Sequence, residues 1–178
     1  MKKRNRKYLI AAGAVLLALV AFTGTAQAAT SAGVATLSYL GQSGLPKGMR
    51  NNNPGNIRIS ANPWQGKIPV SQNTDGAFEQ FTTYVYGIRA MIKNLLSYYN
   101  SGLNTLQSII TKWAPSADNN DTAAYINFVA LRTGFSPTQP LDLRNQTIMR
   151  KVVTAMTEME NGRSAVTAEQ FNFAWKLV

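Results

Sequence analysis

The stretch NQTIMRKVVTAMTEMENG, residues 145–162, carries the pattern on which the fold class rests. Ile148, Met149, Val152, Val153, Met156 and Met159 recur at three- and four-residue intervals, the spacing of one face of an α-helix. Asn145 stands where a side-chain oxygen can accept from the first free N–H groups, and Asn161-Gly162 supplies a stop. Within this helix Glu160 lies four, seven and eleven residues after Met156, Val153 and Met149, on the apolar stripe. Glu158 shares its stripe with Thr154 and Lys151, the polar one. Glu160 is therefore expected to be partly desolvated, Glu158 to be solvated.

Helical spacing recurs on both sides. Ile88, Met91, Ile92, Leu95 and Tyr99 predict a helix over 86–99. Asn104 is placed to cap a short one carrying Leu106, Ile109, Ile110 and Trp113, which Pro115 ends. Asp121 caps another, with Tyr125, Phe128, Val129 and Arg132 before Gly134. Thr167 and Gln170 have capping-box spacing ahead of Phe171, Ala174 and Trp175. Residues 48–81 are different. They are dense in Asn, Gly and Pro, with short β-type runs at 57–59 and 67–70, and predict loops with a small hairpin. The expected class is mainly α (α+β), four or five helices around one core.

Residues 29–47, rich in Ala, Ser, Thr and Gly, read as a flexible tether with little core of its own. Before them, Lys2, Lys3, Arg4, Arg6 and Lys7 precede the uncharged apolar run 8–22 and then Ala26-Gln27-Ala28-Ala29. That is the pattern of a signal peptide cleaved after Ala28. The alternative is an uncleaved membrane anchor, for which fifteen apolar residues are short against a span of about 20. Under both readings of 1–28 the rest of the chain is exported, to a periplasmic or membrane-associated place.

The 178 residues include no Cys and no His. That excludes zinc sites built from nitrogen and sulfur ligands, and nucleophiles activated by His. No metal or cofactor is expected, and acid–base work falls to Asp, Glu, Lys or Tyr. The formal charge is +10; from Ala29 onward thirteen basic residues face eight acidic ones. A surplus of +5 suits an anionic partner such as cell wall or membrane surface. No basic patch interleaved with aromatics points to nucleic acid, and none is expected as a partner.

Eight carboxylates exist: Asp75, Glu79, Asp118, Asp121, Asp142, Glu158, Glu160 and Glu169. Asp118, Asp121 and Asp142 occupy turn and cap positions, and Glu169 a helix start. Glu79, between Phe78 and Phe81, either flanks a cleft or decorates a loop. Glu160 combines an apolar stripe with the negative end of a helix dipole, and both favour the protonated carboxyl that a glycosidase uses as its acid. Against that stands a frayed helix end with Glu160 in water. Trp64, Tyr84, Tyr86, Trp113 and Tyr125 offer ring faces for sugar stacking; for Trp113 and Tyr125 core filling is the plainer reading. In Asn51-Asn52-Asn53-Pro54-Gly55-Asn56, the amides can lock a tight loop through backbone bonds, or bind sugar hydroxyls and N-acetyl groups.

The strings GMRNNNPGNIR (48–58), NPWQGK (62–67), FEQFTTYVYGIRAM (78–91) and IITKWAPSADNNDTAAYINFVALRTG (109–134) resemble, in this order, a family of phage and prophage virion proteins regarded as lysozyme-like peptidoglycan-degrading domains. Glu160-Asn161-Gly162 is similar to the Glu-Ser-Gly in which lytic transglycosylases carry their single catalytic acid. Residues 53–99 are loosely similar to the part of autolysin-type glucosaminidases that follows their catalytic helix. Together these resemblances imply a lysozyme-like domain over 48–178 with its catalytic helix last, as in a circular permutation. They imply a peptidoglycan glycan strand as substrate and Glu160 as acid. The resemblance leaves one position empty, because no residue is marked as the second carboxylate that lysozyme-type hydrolases place about 5–9.5 Å from the first; Glu79 is the candidate. A transglycosylase needs one Glu only, since the sugar's own 6-hydroxyl attacks. Asn53, Asn56, Trp64, Gln65, Tyr84 and Tyr125 are the candidate substrate contacts. The rival expectations are a non-catalytic, membrane-associated virion protein that binds wall or other virion proteins, and a periplasmic remodelling enzyme of a bacterium.

Overall fold

A computed structural model describes residues 31–118 and 120–178. Seven α-helices run through them: α1 (Ser31–Thr36), α2 (Lys47–Arg50), α3 (Tyr84–Asn100), α4 (Leu106–Trp113), α5 (Thr122–Thr133), α6 (Gln146–Asn161) and α7 (Ala168–Trp175). The long α3 lies at the centre, with Ile88, Met91, Ile92 and Leu95 fully buried. It packs on α7 along one side and on α4 and α6 along others, while α5 pairs with α6. The α6 stripe read from sequence is the buried one: Met149, Val152, Val153 and Met156 have no exposed surface.

The helix ends follow local chemistry. Asn145 Oδ1 accepts from the Thr147 and Ile148 N–H groups, and Asp121 Oδ1 from Ala124 N–H. Thr167 and Gln170 form the capping box. Gly134 and Gly162 close α5 and α6 in the left-handed region, where a Cβ would be strained. At α4 the cap is Thr105 rather than Asn104, because Ser108 can return the bond to the Thr105 N–H.

Two expectations fail. The hairpin is not formed: among the described residues the only β pairings are isolated antiparallel bridges, Arg58 with Phe78 and Lys67 with Phe81. Pro54, Pro63 and Pro69 offer no N–H to a ladder, and side-chain amides take up backbone groups in its place. The second failure is the tether. Residues 31–36 form α1, which packs on α3 and α7 with Val34 only 3% exposed, and Tyr39 sets its ring edge-on to Tyr84 at 4.8 Å. The expected hydrophobic helix at the amino terminus lies outside the described residues, and no helix within them is long and apolar enough to cross a membrane.

In place of a hairpin, residues 51–81 are organised by four buried amides, those of Asn51, Asn52, Asn53 and Gln80. Asn51 Nδ2 donates to Asp75 Oδ2 (2.9 Å), and Gln80 Nε2 donates to Asn51 Oδ1 (3.0 Å). Asn52 Nδ2 donates to Ser38 Oγ and to the Phe81 carbonyl, while its Oδ1 accepts from Tyr39 N–H. Asn53 Nδ2 spans the Ile57 and Glu79 carbonyls, and its Oδ1 accepts from Ile57 N–H. Asn52 and Asn56 have φ of 52° and 48°, a region Asn tolerates better than most residues. The loop lies directly on α3 at Gly87, where a Cβ would drive into the Asn52 carbonyl.

Gly87→Ala is therefore expected to lower unfolding free energy by about 1–3 kcal/mol, the range for overpacking, with urea melts as the measurement. Asp75 gives a pH signature. Burial pushes its carboxyl up, but the Asn51 amide, the Phe78 and Ala77 N–H groups and Lys47 together hold it below the usual range. A lowered folded value means its contribution is complete above the unfolded carboxyl value near 4 and is lost as pH falls through the folded value. The melting-temperature gap between wild type and Asp75→Asn should accordingly be widest near neutrality and close in acid.

Candidate functional site

A groove of about 390 Å³ runs between the 51–81 loop region and the helices. One wall carries Asn56, Arg58 and Trp64; the other carries Tyr98 of α3, Trp113 of α4 and the segment after it. Glu160, in the last turn of α6, also lines it. This volume lies within the usual range for small-ligand sites, about 300–1,000 Å³.

Three donors from three parts of the chain converge on the Glu160 carboxylate. Trp113 Nε1–H donates to Oε1 at 3.0 Å, and Tyr125 OH donates to the same oxygen at 2.9 Å. Asn56 Nδ2 donates to Oε2 at 3.0 Å. An indole N–H and an amide NH₂ can only donate, so both oxygens act as acceptors and Oε2 keeps the greater spare capacity. Burial above all, then the Glu160 charge and the bond to it, push the Tyr125 phenol well above its ordinary range. The phenol stays protonated and remains a donor. The next residue secures the helix end, as Asn161 Nδ2 donates to the Pro54 and Thr157 carbonyls at 2.8 and 2.7 Å. The Oδ1 atoms of Asn56 and Asn161 both lie against Gly48, where any side chain would stand.

Of the residues expected at the site, Glu160, Asn56 and Trp64 meet along this groove. Tyr125 reaches Glu160 as well, from a 5%-exposed position beneath it, as a positioning donor and not as a stacking face. The others are elsewhere. Glu79 is fully buried; its Oε1 accepts from Lys67 Nζ (2.8 Å) and from the Ser60 N–H and Oγ. It braces the wall that Ser60 and Trp64 present to the groove, and is sealed away from any substrate. Asn53 is fully buried and its amide is spent on the backbone. Tyr84 is fully buried, donating to the Ala165 carbonyl. Gln65 is exposed outside the groove.

The groove also recruits residues that sequence reasoning had placed otherwise. Asp118, expected as a turn residue, lines it, as do Arg58, Lys112, Asn94 and Tyr98. Trp113 turns its indole N–H to the acid. Local spacing holds no signal for this, since Trp113, Tyr125 and Glu160 lie on three different helices. Among the described residues no three acidic side chains gather where a metal ion could be held.

No family model matches the chain. It is 37% identical over 155 residues to Protein P5 of Pseudoalteromonas phage PM2, a match that spans 80% of this chain and 93% of that protein. At that identity and coverage, the chain belongs to the family of this phage protein.

Proposed function

We propose that this protein cleaves the glycan strand of peptidoglycan, between N-acetylmuramic acid and N-acetylglucosamine, with Glu160 as its general acid and base. The observation that carries the reading is the Glu160 carboxylate, fixed by Trp113, Tyr125 and Asn56 at the wall of a groove edged by amides and rings. An acid held by donors whose own positions are set by packing costs little reorganisation when the proton moves. Trp64 and Tyr98 offer ring faces to pyranose rings, and Asn62, Asn94 and Asn120 offer amides to hydroxyl and N-acetyl groups.

In this mechanism Glu160 gives a proton to the glycosidic oxygen as the bond to the muramic C1 breaks. The leaving sugar departs with a free hydroxyl. The carboxylate then takes the proton of the muramic 6-hydroxyl as that oxygen attacks C1, closing a 1,6-anhydro ring and restoring the acid. With Glu79 sealed inside the wall, one acid suffices for this route. Hydrolysis would instead need Asp118 to direct a water at C1, and the product separates the two: an anhydro end or a reducing end. The protein would act where a phage meets the wall, carried in the virion or exported to the periplasm.

A second reading has its own support. The same three bonds join α4, α5, α6 and the Asn loop, and under this reading Glu160 is a structural tie in a non-catalytic, wall-binding virion protein. Glu160→Gln keeps an acceptor oxygen while removing the transferable proton. For the enzyme, digestion of purified glycan should fall at least about 100-fold while the folded state persists. Unchanged digestion would remove Glu160 from the chemistry, and glycan binding without any cleavage by wild type would favour the structural reading.

Tyr125→Phe keeps the buried ring and removes one donor. It is expected to cost about 1 kcal/mol of stability and, by loosening the acid, to lower kcat roughly ten- to a hundredfold with a smaller change in KM. Thermal melts and steady-state digestion check the two effects separately.

A further inference from the structure

On the far side of α6 lies a second cleft, of about 330 Å³, between α5, α6 and α7. Helical geometry puts Glu158 and Glu160 about 200° apart around the axis, so the face bearing Lys151, Thr154 and Glu158 looks away from the groove. Ala155 and Val166, both buried, form the floor; Arg132, Arg150 and Lys151 stand around it, with Glu158 as the one acid in its walls.

That acid is already taken, paired with Arg132 at 2.6 Å. Lys151 Nζ donates to the Thr133 carbonyl and lies 5.1 Å from the Phe135 ring centre. The Arg150 side chain, part-buried, has no hydrogen-bond or ion-pair partner among the described residues. Arg132 and Lys151 are exposed and Arg150 is part-buried, so three cations stand around one acid at the rim of the cleft, a local surplus of positive charge that is complementary to an anion. A guanidinium is also the side chain best suited to a phosphate, which it meets through a planar fork of donors.

The chain itself suggests the source of that phosphate. The five cations of residues 2–7 and the apolar run 8–22 precede α1, and α1 packs on α7, whose first residue Ala168 lines the cleft. In the uncleaved form of the chain only residues 23–30 separate that run from α1, which keeps a bilayer engaged by it within about 28 Å of α1. We propose that this cleft binds the phosphate of anionic phospholipid headgroups, so that the groove on the opposite side of α6 is turned away from the bilayer. The orienting half rests on the groove being the working site; headgroup binding does not.

The test places the full chain in lipid nanodiscs and follows amide hydrogen exchange over 150–158 and 166–170. Phosphatidylglycerol discs should slow exchange there roughly fivefold relative to phosphatidylcholine discs, the effect of about one basic residue at an anionic surface. Arg150→Glu should abolish the difference and Arg150→Gln reduce it, with unchanged melting temperatures showing that both fold; Lys93→Ala, on α3, should keep it. Equal exchange in the two discs, or protection that survives Arg150→Glu, overturns the proposal. Full protection in phosphatidylcholine discs by inorganic phosphate alone overturns the headgroup assignment. Since the readout is exchange and not digestion, a failed cleavage assay leaves this result separate.

Discussion

The Asn161 amide joins the end of α6 to the Pro54 carbonyl, and most of the groove depends on that clasp. It fixes the last helical turn against a loop more than a hundred residues earlier in the chain, and the preceding residue is Glu160. It sets the Pro54 carbonyl, two residues before Asn56, against the helix end, and Asn56 itself donates to Glu160. An unmade hydrogen bond in a buried place costs about 1–3 kcal/mol, so the clasp excludes arrangements in which the loop lies otherwise.

The loop is itself an unusual way to build a wall. Asn51, Asn52, Asn53 and Gln80 are all buried; the amides of Asn52, Asn53 and Gln80 take up backbone groups that a strand ladder would have paired, while Asn51 links Gln80 to Asp75. Such networks are strained by any partial loss, since every member relies on the next. Their benefit is definition: the wall bearing Asn56, Arg58 and Trp64 is fixed by bonds rather than by apolar packing alone. The Lys67–Glu79 pair, in which Glu79 is fully buried and Lys67 part-buried, does the same for Ser60. Its two charges are compensated by each other, so loss of either would leave the other stranded.

α6 thus has two faces with different chemistry. One holds a carboxylate whose donors come from α4, α5 and the Asn loop. The other gathers Arg150 and Lys151 beside Arg132 of α5 around a shallow cleft. The chain that carries both faces belongs to the family of a phage protein. A rigid helix between two such surfaces couples their orientation, because 16 residues bonded along their whole length cannot turn one face without the other.

The helices were legible because their causes are local. Apolar spacing, the Asn145 and Asp121 caps, the Thr167–Gln170 box and the Gly162 stop each act within a few residues. The same periodicity put Glu160 on the apolar stripe of α6; Glu158, expected to be solvated, is instead part-buried and paired with Arg132. What surrounds Glu160 could not be read this way. Trp113, Tyr125 and Asn56 meet it only because α4, α5 and the loop converge there, and no spacing along the chain encodes that convergence. Glu79 and Asn53 were misplaced for the same reason, since a polar residue in a loop reads as exposed until its partners are known, and both are fully buried. The amino-acid sequence determined α3 to α7, most of their ends and the absence of His and Cys chemistry, all properties of neighbours or of composition. Tertiary structure alone decided which acid faces a groove and which braces its wall, because that depends on contacts between residues far apart in the chain.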